Sequence, residues 1–179
     1  MTMLIDAGTC VLREWRLDDA EALAGQANDR RVSINLRDRF PFPYTVEHAA
    51  QWLERNVGAD RPVNFAITER GSDEPLGGIG LMLQEDTARI SAEIGYWLGV
   101  GAWGRGIATA AVRELTAYAF DVVGLERVFA VCVTRNPASA RVLEKAGYLL
   151  EGTMRRSAIK EGVFLDQFMY AATKPEWRR

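Results

Sequence analysis

The chain has 179 residues, 48% hydrophobic and 26% charged, which excludes a disordered or low-complexity protein and predicts one domain, 1–179. A chain of this length buries roughly 70% of its unfolded surface. Lysines and arginines number 22 against 24 aspartates and glutamates, and no block of like charge occurs, so neither a nucleic-acid partner nor an acidic membrane surface is expected.

Cys10 and Cys132 lie far apart, and His48 has no cysteine or second histidine near it. Neither a disulfide framework nor a metal site is expected. Cys132 falls in the apolar run Val128–Val133, where a buried structural thiol is the simpler reading than a nucleophile. No basic-then-apolar leader is read at the N-terminus and no run reaches about 18 apolar residues, so no membrane partner is expected and the cytoplasm is the default compartment.

Cys10 to Trp15 suits a first strand, and Asp18 or Asp19 can cap a helix that turns Leu23, Ala24 and Ala27 inward. From Asn35 to Tyr44 the pattern breaks. Phe40-Pro41-Phe42-Pro43-Tyr44 places aromatic side chains on a backbone that the prolines hold out of helix. The segment is either the wall of a binding cleft or a loop packed on the core. Thr45 caps a second helix, with Glu47 and His48 in its first turn and Ala49, Trp52, Leu53 and Val57 as an apolar stripe.

Val63–Thr68 and Leu76–Leu83 read as a hairpin around the polar turn Glu69–Pro75. Arg89 to Leu98 is the fourth strand, with Ile90, Ala92, Ile94, Tyr96 and Leu98 on one face and Arg89, Ser91, Glu93 and Trp97 on the other. It runs into the glycine-rich turn Gly99–Gly106 and a helix from about Arg105 to Val122, whose Ile107, Ala111, Leu115 and Tyr118 face inward. A strand that ends in glycines and feeds a helix start leaves backbone N–H groups unpaired, and the helix dipole favours an anion there. A phosphate or pyrophosphate is the natural guest. The plainer alternative is a connection whose glycines only make the turn.

After Gly124 come the buried strand Val128–Val133, a helix opened by Asn136-Pro137 and closed by Gly147, and a last hairpin, Tyr148–Ile159 with Val163–Tyr170. The order of elements is β α α β β β α β α β β. Three successive strands before the glycine turn do not fit a purely parallel doubly wound sheet, so a mixed sheet with helices packed on it is expected. The same context argues against a dinucleotide site at Gly99-x-Gly101-x-x-Gly104. Ile107-Ala108 after Gly106, in place of Lys-Ser/Thr, argues against a nucleoside-triphosphate site.

This order, the glycine turn, and the run Asn136-Pro137-Ala138-Ser139-Ala140-Arg141-Val142-Leu143-Glu144-Lys145-Ala146-Gly147-Tyr148 resemble the GNAT superfamily of acetyl-CoA-dependent N-acetyltransferases over nearly the whole chain. Ala92–Trp97, Trp103–Thr109 and the spacing of Asn136 to Ser139 are similar to its ribosomal-protein N-terminal (alanine or serine) acetyltransferase branch, which also holds enzymes for small amines and antibiotics. The resemblance implies an α/β (α+β) fold: a mixed, mostly antiparallel sheet of about seven strands, splayed between the fourth and fifth strands after Leu98, with about four helices. It implies acetyl-CoA as co-substrate and no metal, and a homodimer is compatible with it.

Two departures from the superfamily pattern stand out. The Gln/Arg-x-x-Gly-x-Gly/Ala motif falls on Trp103, Gly106 and Ala108, and the tyrosine that many members use to protonate the leaving thiolate is replaced by Leu143. Ser139 matches the serine of the N-terminal acetyltransferase branch. The residues expected to hold acetyl-CoA are Leu98, Val100, Arg105, Gly106, Ile107, Ala108, Thr109, Asn136 and Ser139.

Acetyl transfer to an amine needs a neutral nucleophile, an oxyanion stabiliser and a proton for the leaving thiolate. Backbone N–H groups around Ile94 to Leu98 are the candidate oxyanion donors, Glu93 the candidate base and Ser139 the candidate acid. Glu93 has the alternative of a solvated or ion-paired strand carboxylate, and Ser139 that of a capping hydroxyl. Phe40, Phe42, Tyr44, Trp97 and Asp166 are the expected acceptor contacts. The expected reaction is direct attack, in a ternary complex, of a primary amine on acetyl-CoA, the acceptor being a protein or peptide N-terminal α-amine. A small-molecule or antibiotic acetyltransferase and a non-catalytic acyl-CoA-binding module are the alternatives.

Overall fold

In the computed structural model, which describes residues 3–58 and 62–178, the chain runs β1 (Leu4–Asp6), β2 (Cys10–Glu14), α1 (Ala20–Ala27), α2 (Arg30–Ser33), α3 (Val46–Asn56), β3 (Asn64–Glu69), β4 (Pro75–Leu83), β5 (Ser91–Leu98), α4 (Ile107–Tyr118), β6 (Arg127–Val133), α5 (Pro137–Lys145), β7 (Leu149–Lys160) and β8 (Val163–Thr173). The strands form a mixed, mostly antiparallel sheet in the order β1-β2-β3-β4-β5-β6-β8-β7. Among the described residues there are eight strands and five α-helices, one more of each than the sequence pattern suggests.

The additions are short. β1 has three residues and α2 four, too few for a period of two or of 3.6 to show. β1 exists because Gly8, at φ 74°, turns it back onto β2, and Asp29 caps α2 by accepting from Arg31 N–H. β5 begins at Ser91 rather than Arg89, leaving Ile90 exposed. α4 begins at Ile107 rather than Arg105 and widens into a π-turn over Ala119–Val123 that Gly124, at φ 85°, ends.

The chain divides into two compact units, and the first comprises Met1–Gly80 and Tyr96–Ala111. In it β2 pairs antiparallel with β1 and β3, and Trp15, Leu23, Ala27, Tyr44, Ala49 and Leu53 pack into a core cluster. Its fully buried cation is Arg13, whose two terminal nitrogens donate to the two carboxylate oxygens of buried Asp19 at 2.8 and 2.7 Å. The same carboxylate accepts from Arg16 N–H at 2.8 Å. The pair therefore fixes where the chain leaves β2 for α1.

Gly77 and Gly78 in β4 allow a close approach to β5. A Cβ at Gly77 would lie 2.2 Å from the Trp97 carbonyl oxygen, and one at Gly78 would lie 3.0 Å from the Trp97 indole nitrogen. The end of β5 is held on β4 in this way, and Gly99 N–H adds a bond to Leu76 O at 2.8 Å.

The second unit comprises Leu81–Gly95 and Val112–Arg179. Here β6 and β8 pair antiparallel from Arg127↔Thr173 to Val133↔Gln167, and β7 closes onto β8. Parallel pairing of β5 with β6 runs over Ser91↔Arg127, Ala92↔Val128 and Glu93↔Phe129. Among the described residues that register ends at Glu93, five positions before the Leu98 at which the resemblance puts the splay.

Replacing Asp19 with Ala leaves a buried guanidinium without its bidentate acceptor, an uncompensated charge that costs about 3–5 kcal/mol. Urea unfolding of the Asp19→Ala variant is expected to show a loss of that size, whereas Asp73→Ala, at the exposed end of the same network, is expected to cost less than about 1 kcal/mol.

Candidate active site

The first unit carries the glycine turn. Gly99 leads it, and the position a Cβ would take is filled by Gln26 Oε1 at 1.9 Å. A 3₁₀ turn over Val100–Ala102 follows, and the indole N–H of Trp103 donates back to Leu98 O at 2.9 Å. Gly104 and Gly106 sit at φ 74° and 78°, in the left-handed region that side chains with a Cβ rarely adopt. Around Gly101, Gly104 and Gly106 an added Cβ would meet nothing within 4 Å. At these three positions a side chain would extend into open space, whereas Gly99 is needed for packing.

The first backbone bond of α4 runs from Ala110 N–H to Gly106 O at 3.1 Å, so the N–H groups of Ile107, Ala108 and Thr109 precede the helical ladder. Ile107 is buried, Ala108 and Thr109 are half-buried, and Arg105 and Gly106 are exposed. Leu98 is buried and Val100 half-buried. The Arg105 guanidinium is hydrogen-bonded to Glu69 at the end of β3. Glu69 is 36 residues away in sequence, and no local pattern announces the pair.

The aromatic loop resolves into two kinds of residue. Phe40 and Tyr44 rings lie 4.7 Å apart, and Phe40 meets Trp97 edge-on at 5.3 Å. Tyr44 is only 6% exposed, its phenol is pushed up by burial, and its N–H is anchored on Asn28 Oδ1 at 3.0 Å. Tyr44 thus belongs to the core, and Phe40 and Trp97 are partly buried against it. Phe42 is 46% exposed, with the Arg30 guanidinium 5.8 Å from its ring centroid. The loop is at once packed and presenting: its ends are pinned and its middle ring faces out.

The second unit holds the candidate proton-transfer groups. Glu93 is half-buried at the last β5–β6 pair. Asn136 caps α5, its side-chain oxygen accepting from Ser139 N–H at 3.3 Å. The Ser139 hydroxyl is hydrogen-bonded with the Cys132 thiol. Burial pushes that thiol up, the serine opposes the rise and Glu144 adds to it, so Cys132 is held as a neutral thiol. This pairing of a helix start with a strand interior is not visible in the sequence.

Leu143 is fully buried and supplies nothing polar. Tyr170, which packs nearby in the same unit, donates its phenol proton to Glu144 Oε1 at 2.9 Å, and burial together with that carboxylate raises it to about 12. It is therefore a poor substitute acid. Asp166 is half-buried, and its Oδ1 accepts from Arg156 N–H at 2.7 Å. Arg156, at φ 50°, lies in the bulge between Met154 and Ala158, so the carboxylate braces the β7–β8 hairpin. Among the described residues no group of three or more His, Cys, Asp or Glu is placed to hold a metal ion.

The family model described as "Acetyltransferase (GNAT) domain" matches residues 10–149. The chain belongs to the GNAT acetyltransferase family. With that assignment the expected enzyme class, an acetyl-CoA-dependent N-acetyltransferase, stands. The chain is 34% identical over 179 residues to the "uncharacterized N-acetyltransferase YoaA" of Bacillus subtilis (strain 168), covering 98% of this chain and 99% of that one. A GNAT-family acetyltransferase from Bacillus anthracis superposes with a TM-score of 0.85 at 25% identity, covering 97% of this chain and all of that one. RimL, a ribosomal α-N-protein acetyltransferase solved in complex with coenzyme A, shares the fold with a TM-score of 0.82 at 22% identity, covering 96% and 98%.

The sequence pattern places a pyrophosphate at this turn, and an added Cβ at Gly101, Gly104 or Gly106 would meet nothing within 4 Å. Gly106→Ala is expected to lower acetyl-CoA affinity only as far as the strain at φ 78° disturbs the turn, whereas Gly106→Glu, with the same strain plus a carboxylate, is expected to lower it at least about tenfold further. Equal affinities of the two variants by calorimetry would remove the pyrophosphate from this turn.

Proposed function

We propose that this GNAT enzyme acetylates a primary α-amine, that of a protein or peptide N-terminus, by direct attack in a ternary complex. The observation that carries this reading is the N-terminus of α4, where Ile107, Ala108 and Thr109 N–H groups precede the helical ladder beside glycines that leave their backbone open. Those N–H groups and Arg105 would hold the pyrophosphate of acetyl-CoA, which supplies the thioester. Two relatives point the same way. A ribosomal-protein-serine acetyltransferase of Escherichia coli (strain K12) is 31% identical over 99 residues, 55% of each chain. The L-amino acid N-acetyltransferase AaaT of that organism is 25% identical over 165 residues.

An α-amine, with a pKa near 8, is already about a tenth neutral at pH 7, while a lysine-like amine near 10.4 is neutral at only a few parts in ten thousand. A single half-buried carboxylate, Glu93, suits the first better than the second. In the proposed division of labour, Glu93 takes the proton from the attacking nitrogen and Ser139 gives one to the departing thiolate. The serine hydroxyl has one donor and two acceptor positions. Asn136, holding Ser139 N–H, fixes the position of that hydroxyl.

Positioned proton transfer is worth about 10² to 10⁴ in rate. Ser139→Ala and Glu93→Gln are each expected to lower kcat by about that range while acetyl-CoA affinity stays within a few-fold. The glutamine variant should regain activity as pH rises, because free amine accumulates without a base. Wild-type kcat in both variants across pH 6 to 9 would show that the enzyme works by positioning alone.

A further inference from the structure

A tyrosine or tryptophan packed inside a protein normally gives its O–H or N–H to a fixed partner. In this chain Trp103 donates to Leu98 O and Trp177 to Ala146 O, both at 2.9 Å, Tyr170 donates to Glu144, and the Tyr148 and Thr116 hydroxyls lie 2.7 Å apart. Tyr44 and Trp97 do not follow this rule. Tyr44 is only 6% exposed, yet its hydroxyl has no hydrogen-bond partner among the described residues, and burial is what pushes its pKa up. The indole N–H of half-buried Trp97 is likewise unpartnered among the described residues. Among those residues the fully enclosed side-chain nitrogen or oxygen left unpaired is Arg13 Nε, so the polar tips of Tyr44 and Trp97 are open at the edge of otherwise packed rings.

The two residues belong to one wall in the first unit. The Phe40 ring joins them, 4.7 Å from Tyr44 and 5.3 Å from Trp97. A Cβ at Gly78 would lie 3.0 Å from both the Trp15 ring and the Trp97 indole nitrogen, so Trp15 continues the same surface. Tyr44 N–H, anchored on Asn28 Oδ1 at 3.0 Å, holds the wall in place. Trp97 is also one of the β5 residues, Ile94 to Leu98, whose backbone N–H groups are the candidate oxyanion donors, so the wall begins beside the place where the thioester carbonyl is expected. A ligand group that covers these rings is apolar, and it must bring oxygen to the two donors, because a covered donor left unpaired costs affinity.

We infer that the wall of Phe40, Tyr44 and Trp97 selects α-amino acyl acceptors with a large apolar or aromatic first side chain. The rings take the side chain, and Trp97 N–H and Tyr44 O–H donate to the carbonyl oxygen on the carbon next to the amine-bearing one. This inference rests on the α-amine reading above and names the class within it. Two sources share that chemistry, the first residue of a peptide and a free amino acid. Covering a phenylalanine side chain is worth about tenfold to a hundredfold in affinity, and each neutral hydrogen bond about two- to tenfold.

The test uses the full-length enzyme with phenylalanine amide, glycine amide and phenethylamine, with short peptides that begin with phenylalanine or with glycine and are otherwise identical, and with free phenylalanine. The expected result is a KM for phenylalanine amide at least about tenfold below that for glycine amide, with the same order in the peptides. Both amides carry an α-amine beside a carbonyl, so the comparison reads the side chain, and it needs no variant to fold. Trp97→Phe and Tyr44→Phe each keep an aromatic ring and remove one donor. Each is expected to lower the ratio of kcat/KM for phenylalanine amide over phenethylamine, which lacks the carbonyl, by about two- to tenfold. The ratio is taken within each enzyme, so the different pKa values of the two amines cancel. Acetylation of free phenylalanine with the same ring preference, and of no peptide, would assign the wall to a free amino acid.

Equal KM values for the phenylalanine and glycine acceptors, or a ratio that neither substitution moves, would overturn the inference while leaving α-amine acetylation intact. Acetylation of lysine side chains or polyamines in place of every α-amine would overturn both.

Discussion

Helix α4 cannot satisfy its own first N–H groups within the helix. Any α-helix leaves about four donors without helical partners at its start, and most proteins cap them with a side chain. Here the residues before Ile107 are Gly104, Arg105 and Gly106, two of them at positive φ. The partial positive charge of the dipole lies at this glycine turn. What lies upstream is arranged to keep this geometry: Gln26 fills the space beside Gly99, Trp103 is tied to Leu98 O, and Cys10 Sγ lies 3.8 Å from Ile107 O.

The second constraint is the parting of β5 from β6. Three parallel pairs hold the strands together up to Glu93 and Phe129. Beyond them β5 needs close contact with Gly77 and Gly78, and β6 needs its ladder with β8. The backbone of Ile94 to Leu98 consequently lies outside the β5–β6 register, which is the condition under which its N–H groups can serve as oxyanion donors.

Much of the fold was legible because its signals are local. The glycine-ended strand, the Asn136-Pro137 cap and the alternation of the last hairpin each fall within a window of about ten residues, where period and turn chemistry are decisive. β1 and α2 were not legible because three or four residues carry no period. At the candidate site the position of the glycine turn could be read from sequence, whereas which of its glycines take positive φ could not. The Glu69–Arg105 and Cys132–Ser139 pairings could not, because each joins residues that only the sheet brings together. The proline-rich run showed that aromatic residues were present without showing which pointed inward. Burial of Tyr44 beside Phe40, which meets Trp97 edge-on, and exposure of Phe42 are tertiary facts. Asp166 was read as an acceptor contact from its aromatic neighbours, whereas its carboxylate also has structural work in bracing the bulge at Arg156.

The most direct test of the central claim, that the start of α4 is the anion-binding element, is hydrogen–deuterium exchange over residues 99–109 with and without acetyl-CoA. The account predicts that saturating acetyl-CoA slows exchange at Gly106 to Thr109, and that coenzyme A lacking its acetyl group does the same, since the phosphates rather than the thioester make the contact. Unchanged exchange there, with protection appearing elsewhere in the chain, would contradict it.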